Sequence, residues 1–177
     1  MRHFFFALTT AAMLSFSANS YAAPATTATT APAPAANTNV VAKESPWTMS
    51  CQPEATDGKV NCEVTKQLVT QDGASLIAQI SVFKTGQDLM MRIIAPHQLS
   101  IATGLGLSID DKDAGTKPFT TSLPAGIVAL FTLDDSILPI IRKGQVLKFT
   151  TKTRASQDLS FSLSLNGFAP SLDKMAK

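Results

Sequence analysis

Apolar and polar residues alternate with a period of two over much of the chain from Ser45 onward, the repeat that sends successive side chains to opposite faces of a sheet. Leu159, Phe161, Leu163 and Leu165 alternate with Ser160, Ser162 and Ser164, so four large apolar groups share one face and small hydroxyls the other. That is the signature of an antiparallel strand with one face in a core. Leu76, Ala78, Ile80 and Val82 alternate in the same way, and Val146, Leu147 and Phe149 begin another strand. Further β segments are expected at 59–67, 89–94, 99–109 and 127–132. Turn chemistry divides them: Asp57-Gly58, Asp72-Gly73, Thr85-Gly86-Gln87-Asp88, Ala95-Pro96 and Ala114-Gly115 recur at spacings typical of sandwiches and barrels.

One segment has a different rhythm. Asp134-Asp135-Ser136 precedes Ile137, Leu138, Ile140 and Ile141, and Arg142-Lys143-Gly144 follows. Acidic residues at the start, basic ones in the last turn and a glycine at the stop all suit a helix dipole, and Pro139 limits the helix to a turn or two. The expected fold is therefore mainly β: an antiparallel β-sandwich or barrel-like single domain with one short helix near residues 134–143.

The first residues obey other rules. Arg2 and His3 start the chain, an apolar run spans Phe4 to Phe16, and Ser20-Tyr21-Ala22 places small residues at a cleavage site. Residues 1–22 read as a secretory signal peptide cut between Ala22 and Ala23, since the apolar run is shorter than the roughly 20 residues that span a bilayer. No cysteine lies near the cut to carry a lipid, and no later segment is apolar enough for an integral membrane helix. Residues 23–44, mostly Ala, Thr, Pro and Asn at first, read as a flexible linker, with an O-glycosylated stalk as the alternative. Residues 45–177 form the domain, and the expected location is periplasmic or secreted.

Export changes the meaning of the cysteines. Cys51 and Cys62 are the only two in the chain, and an even count in an oxidising compartment reads as one structural disulfide. Closing a ring of this size contributes about 3 kcal/mol on the loop-closure account. A redox role is disfavoured, because no Cys-x-x-Cys stands at a helix start to lower a thiol pKa.

Charge excludes one class of partner. Cleavage removes Arg2 from the chain's 15 basic residues, set against 13 acidic ones, and Lys and Arg are scattered singly apart from Arg142-Lys143. No basic stripe is present to track a phosphate backbone, so nucleic acid is not an expected partner.

Candidate chemistry is sparse. His97 is the only histidine of the mature chain and follows Pro96 in a turn, without a local partner to make it a general base. Gly104-x-Gly106 lacks the third glycine of a dinucleotide fingerprint and reads as a bulge or bend. Asp110, Asp111 and Asp113 make a fragment of a cation loop without the remaining ligands, and a solvated hairpin turn is the favoured reading. No catalytic residue, cofactor or metal is assigned.

From Trp47 to the C-terminus the residues resemble a known family. The pieces are Trp47-Thr48-Met49-Ser50-Cys51, then Cys62, the apolar strand Leu89 to Pro96, and Gly104-Leu105-Gly106-Leu107-Ser108-Ile109-Asp110. Arg142-Lys143-Gly144-Gln145 and the closing Leu163-Ser164-Leu165-Asn166-Gly167-Phe168 complete the set. In order and spacing the chain resembles the invasion-associated locus B proteins of Gram-negative bacteria, exported β-rich domains. Members of that family usually carry a second cysteine pair before the helix; here Phe119 to Gly126 has none. The resemblance implies a link to host-cell invasion or colonisation.

Two functional classes follow. The first is a non-enzymatic interaction module with an unknown protein partner in the envelope or on a host cell, binding by strand addition at an exposed edge such as the strand bearing Met90 and Met91. The second is a cell-envelope hydrolase using carboxylates such as Glu54, Glu63 and Asp110, with two of them converging in a cleft. A periplasmic small-ligand carrier lies between the two and requires an enclosed apolar cavity.

Overall fold

A computed structural model of the chain describes residues 38–39, 42–53 and 60–175. The expected signal peptide, its cleavage site, most of the linker, the Asp57-Gly58 turn and Glu54 lie outside the described residues. Twelve strands and two helices run in the order β1 (Thr38–Asn39), β2 (Ala42–Glu44), β3 (Thr48–Pro53), β4 (Val60–Thr70), β5 (Leu76–Thr85), β6 (Asp88–Ala95), β7 (Leu105–Ile109), β8 (Lys112–Lys117), β9 (Phe119–Leu123), β10 (Gly126–Thr132), α1 (Leu138–Lys143), β11 (Val146–Lys152), β12 (Asp158–Ser164) and α2 (Phe168–Met175). They form a five-stranded sheet, β1-β12-β11-β7-β8, and a seven-stranded sheet, β2-β4-β5-β6-β10-β9 with β3 also on β4. Every pairing is antiparallel except the short parallel contact of β1 with β12. The two sheets pack face to face as an open sandwich and do not close into a barrel.

Alternation places the core. In β12, Phe161 and Leu163 are buried and Ser162 is exposed; across the pair, Phe149 faces Phe161 with ring centroids 5.1 Å apart. Val64, Leu68, Ile80, Val82, Met91 and Ile93 come to meet them from the other sheet. Burying such side chains contributes roughly 1.5–3 kcal/mol each. The β-rich, helix-poor reading of the sequence holds.

Details differ from the sequence reading. Ala42–Glu44, within the expected linker, pairs with Thr70, Val69 and Leu68 of β4. The expected strand at 99–109 is regular only from Leu105. Before it lies a 3-10 turn at Ile101–Thr103, and Gly104 has φ +69 with Lys117 O only 2.9 Å from where a Cβ would stand. The bulge expected at Gly104-x-Gly106 is present as a register shift between Gly106 and Ser108 against β8.

The expected helix is shorter, because Asp134 to Ile137 form the entry rather than the first turn. Asp134 Oδ1 accepts the amides of Ser136 at 2.9 Å and Ile137 at 3.2 Å. Pro139 then occupies the first turn, where an amide needs no partner, and the helix continues past it to Lys143. Gly144 ends it with φ −70, so left-handed backbone is not what it supplies. Its role is close approach: a Cβ there would lie 2.3 Å from Ile109 Cγ2. The second helix, α2, was not expected; it seats Phe168, Leu172 and Met175 in the core.

Candidate functional site

The β3–β4 hairpin follows from its sequence. β3 and β4 both alternate, so Met49, Cys51 and Pro53 share the inner face with Val64, Cys62 and Val60, while Thr48, Ser50 and Gln52 share the outer face with Thr65, Glu63 and Asn61. Cys51 and Cys62 stand directly opposite one another and are joined by a disulfide, with Cα atoms 4.0 Å apart. All six residues of β3 are exposed. Met49 is 43% and Val60 62% exposed, so the arm carries an apolar stripe into solvent beyond the core.

No described strand pairs with the outer edge of β3. It differs from the edges at β8, β9 and β2. β8 carries Lys112, Asp113 and Lys117, with Gly115 at φ +83; β9 lies between Pro118 and Pro124, and its register shifts opposite Val128 and Ala129. β2 has three residues, of which two are Lys43 and Glu44. Charge, proline and bulges are the usual devices that stop an edge from accepting another strand. β3 has six residues in unbroken register without a charge among them, and its only proline is its last residue.

Beside this edge the outer face opens into a cleft of about 270 Å³ lined by Ser50, Gln52, Asn61, Glu63, Phe83 and Arg92. Glu63 Oε1 accepts a charge-assisted hydrogen bond from Arg92, whose guanidinium lies 5.1 Å from the Phe83 ring centre. Arg92 Nε is buried without a hydrogen-bond partner among the described residues. The ion pair leaves the cleft close to neutral.

At the inner end of the hairpin the two sheets are stitched together. Lys66 lies in the core-facing row of β4 and is 4% exposed. Its ammonium donates to Ser164 O at 2.8 Å and pairs with Glu44 Oε2 at 2.8 Å. Glu44 in turn accepts the Ser164 amide through both oxygens at 3.1 Å. Trp47 Nε1 donates to the same Ser164 carbonyl at 3.3 Å, and its ring packs on Phe168 with centroids 5.0 Å apart. Trp47 thus seals the sandwich where the β2–β3 link meets the end of β12 and the start of α2.

The other sequence candidates are dispersed. Met90 and Met91 lie on β6, between β5 and β10, so their strand is interior and cannot accept an added one; Met91 is 1% exposed. Strand order cannot be read from alternation, and the edge lies instead at Met49. His97 is exposed, with Nε2 3.4 Å from Pro124 O. Asp110 and Asp111, at φ +48 and +63, make the two-residue turn between β7 and β8. The Asp110 carboxylate accepts the amides of Gln145 at 3.0 Å and Val146 at 2.9 Å, and Asp113 accepts that of Gly115 at 2.9 Å. Glu63 and Asp110 belong to different sheets and do not converge. Among the described residues no three His, Cys, Asp or Glu side chains gather as a metal site, and no helix is long and apolar enough to cross a membrane.

Comparison with known proteins agrees with this architecture. An invasion protein B homolog of Brucella abortus (strain 2308) is 28% identical over 130 residues, covering 73% of this chain and 75% of its own length. A second, from Brucella abortus biovar 1 (strain 9-941), matches equally. The crystal structure of invasion associated protein B from Bartonella henselae shares the fold, with a TM-score of 0.67 at 20% identity over 76% of this chain and 92% of that one. A sequence model of the Invasion associated locus B (IalB) protein family matches residues 47–176, from the tryptophan at the seam through the closing helix, and the chain belongs to that family.

Proposed function

We propose that this protein is an exported, non-catalytic interaction module that takes a protein strand onto the edge of β3 and in this way contributes to host-cell invasion or colonisation, or to contacts within the envelope. The observation that carries the reading is the contrast with the edges at β8, β9 and β2: those three are blunted by charge, proline, bulge or brevity, and β3 is long, regular and uncharged. Main-chain hydrogen bonds supply affinity in strand addition, and alternate side chains supply selectivity. The disulfide supports the reading twice, by holding the edge straight before binding and by suiting a periplasmic or secreted location.

The test is photocrosslinking in cells. A photoreactive residue at Gln52, on the edge, is expected to give a discrete protein adduct, and one at Ser162, on the outer face of the other sheet, none. Equal labelling from both positions, or none from Gln52, overturns the reading.

A further inference from the structure

Resting on the reading of β3 as the binding edge, we infer that the strand it takes is the β3 of a second copy of this chain, giving a two-fold dimer centred on Ser50. The backbone fixes which groups are free. In an antiparallel pair, Cα atoms about 4.5 Å apart mark a non-hydrogen-bonded position and about 5.5 Å a hydrogen-bonded one. The 4.0 Å separation of Cys51 and Cys62 therefore places their pair in the first class. The amide and carbonyl of Cys51, and of Met49 two residues before it, consequently point away from β4 to the open edge. Those of Ser50 turn inward.

Antiparallel pairing with Ser50 opposite Ser50 sets Met49 against the second copy's Cys51 and Cys51 against the second copy's Met49. Both pairs are hydrogen-bonded ones, so four backbone bonds form and Pro53, which has no amide to donate, stays outside the register.

Side-chain chemistry matches on both faces. On the inner face Met49, 43% exposed, comes beside the second copy's disulfide, joining two solvent-facing apolar stripes. On the outer face Ser50 meets Ser50, and Thr48 meets Gln52. A two-fold axis sets any charge near it against its own image, and β3 has no charge. The nearest one, Glu63 beside Ser50, is neutralised by Arg92.

The experiment is sedimentation velocity on the mature oxidised chain as exported, across concentrations up to about 100 μM. Wild type is expected to shift from one to two chain masses with concentration. Ser50→Lys, which sets two ammonium groups face to face, is expected to weaken association at least about tenfold, and Ser50→Glu likewise. Mixing the two variants is expected to restore the doubled mass, which also shows that each is folded. A wild type monomeric throughout, a dimer indifferent to Ser50→Lys, or a mixture that stays monomeric overturns the inference. If the purified chain is monomeric while Gln52 crosslinks to a different protein in cells, self-pairing falls and the β3 reading stands. If neither association nor an adduct is seen, both fall.

Discussion

Lys66 in the core-facing row of β4 and Glu44 at the end of β2 form an ion pair of 2.8 Å between neighbouring strands of the seven-stranded sheet, and both side chains reach across the seam to the Ser164 backbone of the other sheet. Lys66 has 5% of its side chain exposed and Glu44 31%. Removing one partner of a wholly buried pair costs about 3–5 kcal/mol, and partial hydration of Glu44 lowers that to about 1–3 kcal/mol. Glu44→Ala is expected to destabilise the domain by this amount in urea unfolding. Adding Lys66→Met should recover part of the loss, since no ammonium is then left buried. A double variant no more stable than the single one would contradict the assignment.

The disulfide predicts a second loss. Cys62→Ser, made together with Cys51→Ser to avoid a stray thiol, is expected to remove about 3 kcal/mol, or roughly 10 °C of melting temperature. Reduction of the wild-type protein should do the same. An unchanged melting temperature under reducing conditions would show that the hairpin needs no staple.

Gly144 tests the seat of α1. Gly144→Ala puts a methyl group 2.3 Å from Ile109 Cγ2, and Ile109 is 1% exposed with no room to withdraw. Overpacking of this kind costs about 1–3 kcal/mol. Ile109→Val in the same chain gives the β carbon no relief, because it keeps the Cγ2 methyl, whereas Ile109→Ala removes it and should reverse part of the strain. Calorimetric melting of the single and double variants decides this.

Acid sensitivity follows from two turn carboxylates. The Ser136 hydroxyl, then the amides of Ser136 and Ile137, hold Asp134 below its ordinary value of 3.8. The Thr70 hydroxyl and the Ala74 amide do the same for Asp72. A folded-state pKa below the unfolded one confers stability that is present above the unfolded value and lost as pH falls through the folded one. Asp134→Ala is therefore expected to be less stable than wild type at neutral pH, with the gap closing below about pH 3.8. A gap independent of pH would assign the loss to the helix entry alone.

The strands were legible because alternation is a local signal: Phe161, Leu163, Ile80 and Val82 all lie where their parity puts them. Parity also put Lys66 inside, between Val64 and Leu68, although its residue type argues for water; only the distant Ser164 and Glu44 resolve that conflict. The order of strands is not local, which is why Met90 and Met91 read as an edge and are central. In α2 the spacing of Phe168, Leu172 and Met175 is helical, a signal present in the sequence and obscured by Pro170, which is tolerated in the first turn.

Trp47 is the only tryptophan of the chain, and the only tyrosine, Tyr21, belongs to the expected signal peptide. The indole lies against Phe168, with its Nε1 on Ser164 O and the Lys66 ammonium 5.6 Å from its ring centre, one residue before β3 begins. The described residues thus carry a built-in single-site fluorophore between β2 and β3, against the last helix. Its emission is expected to read the closure of the seam and, through Thr48, the docking proposed above for the neighbouring edge, without any label being attached.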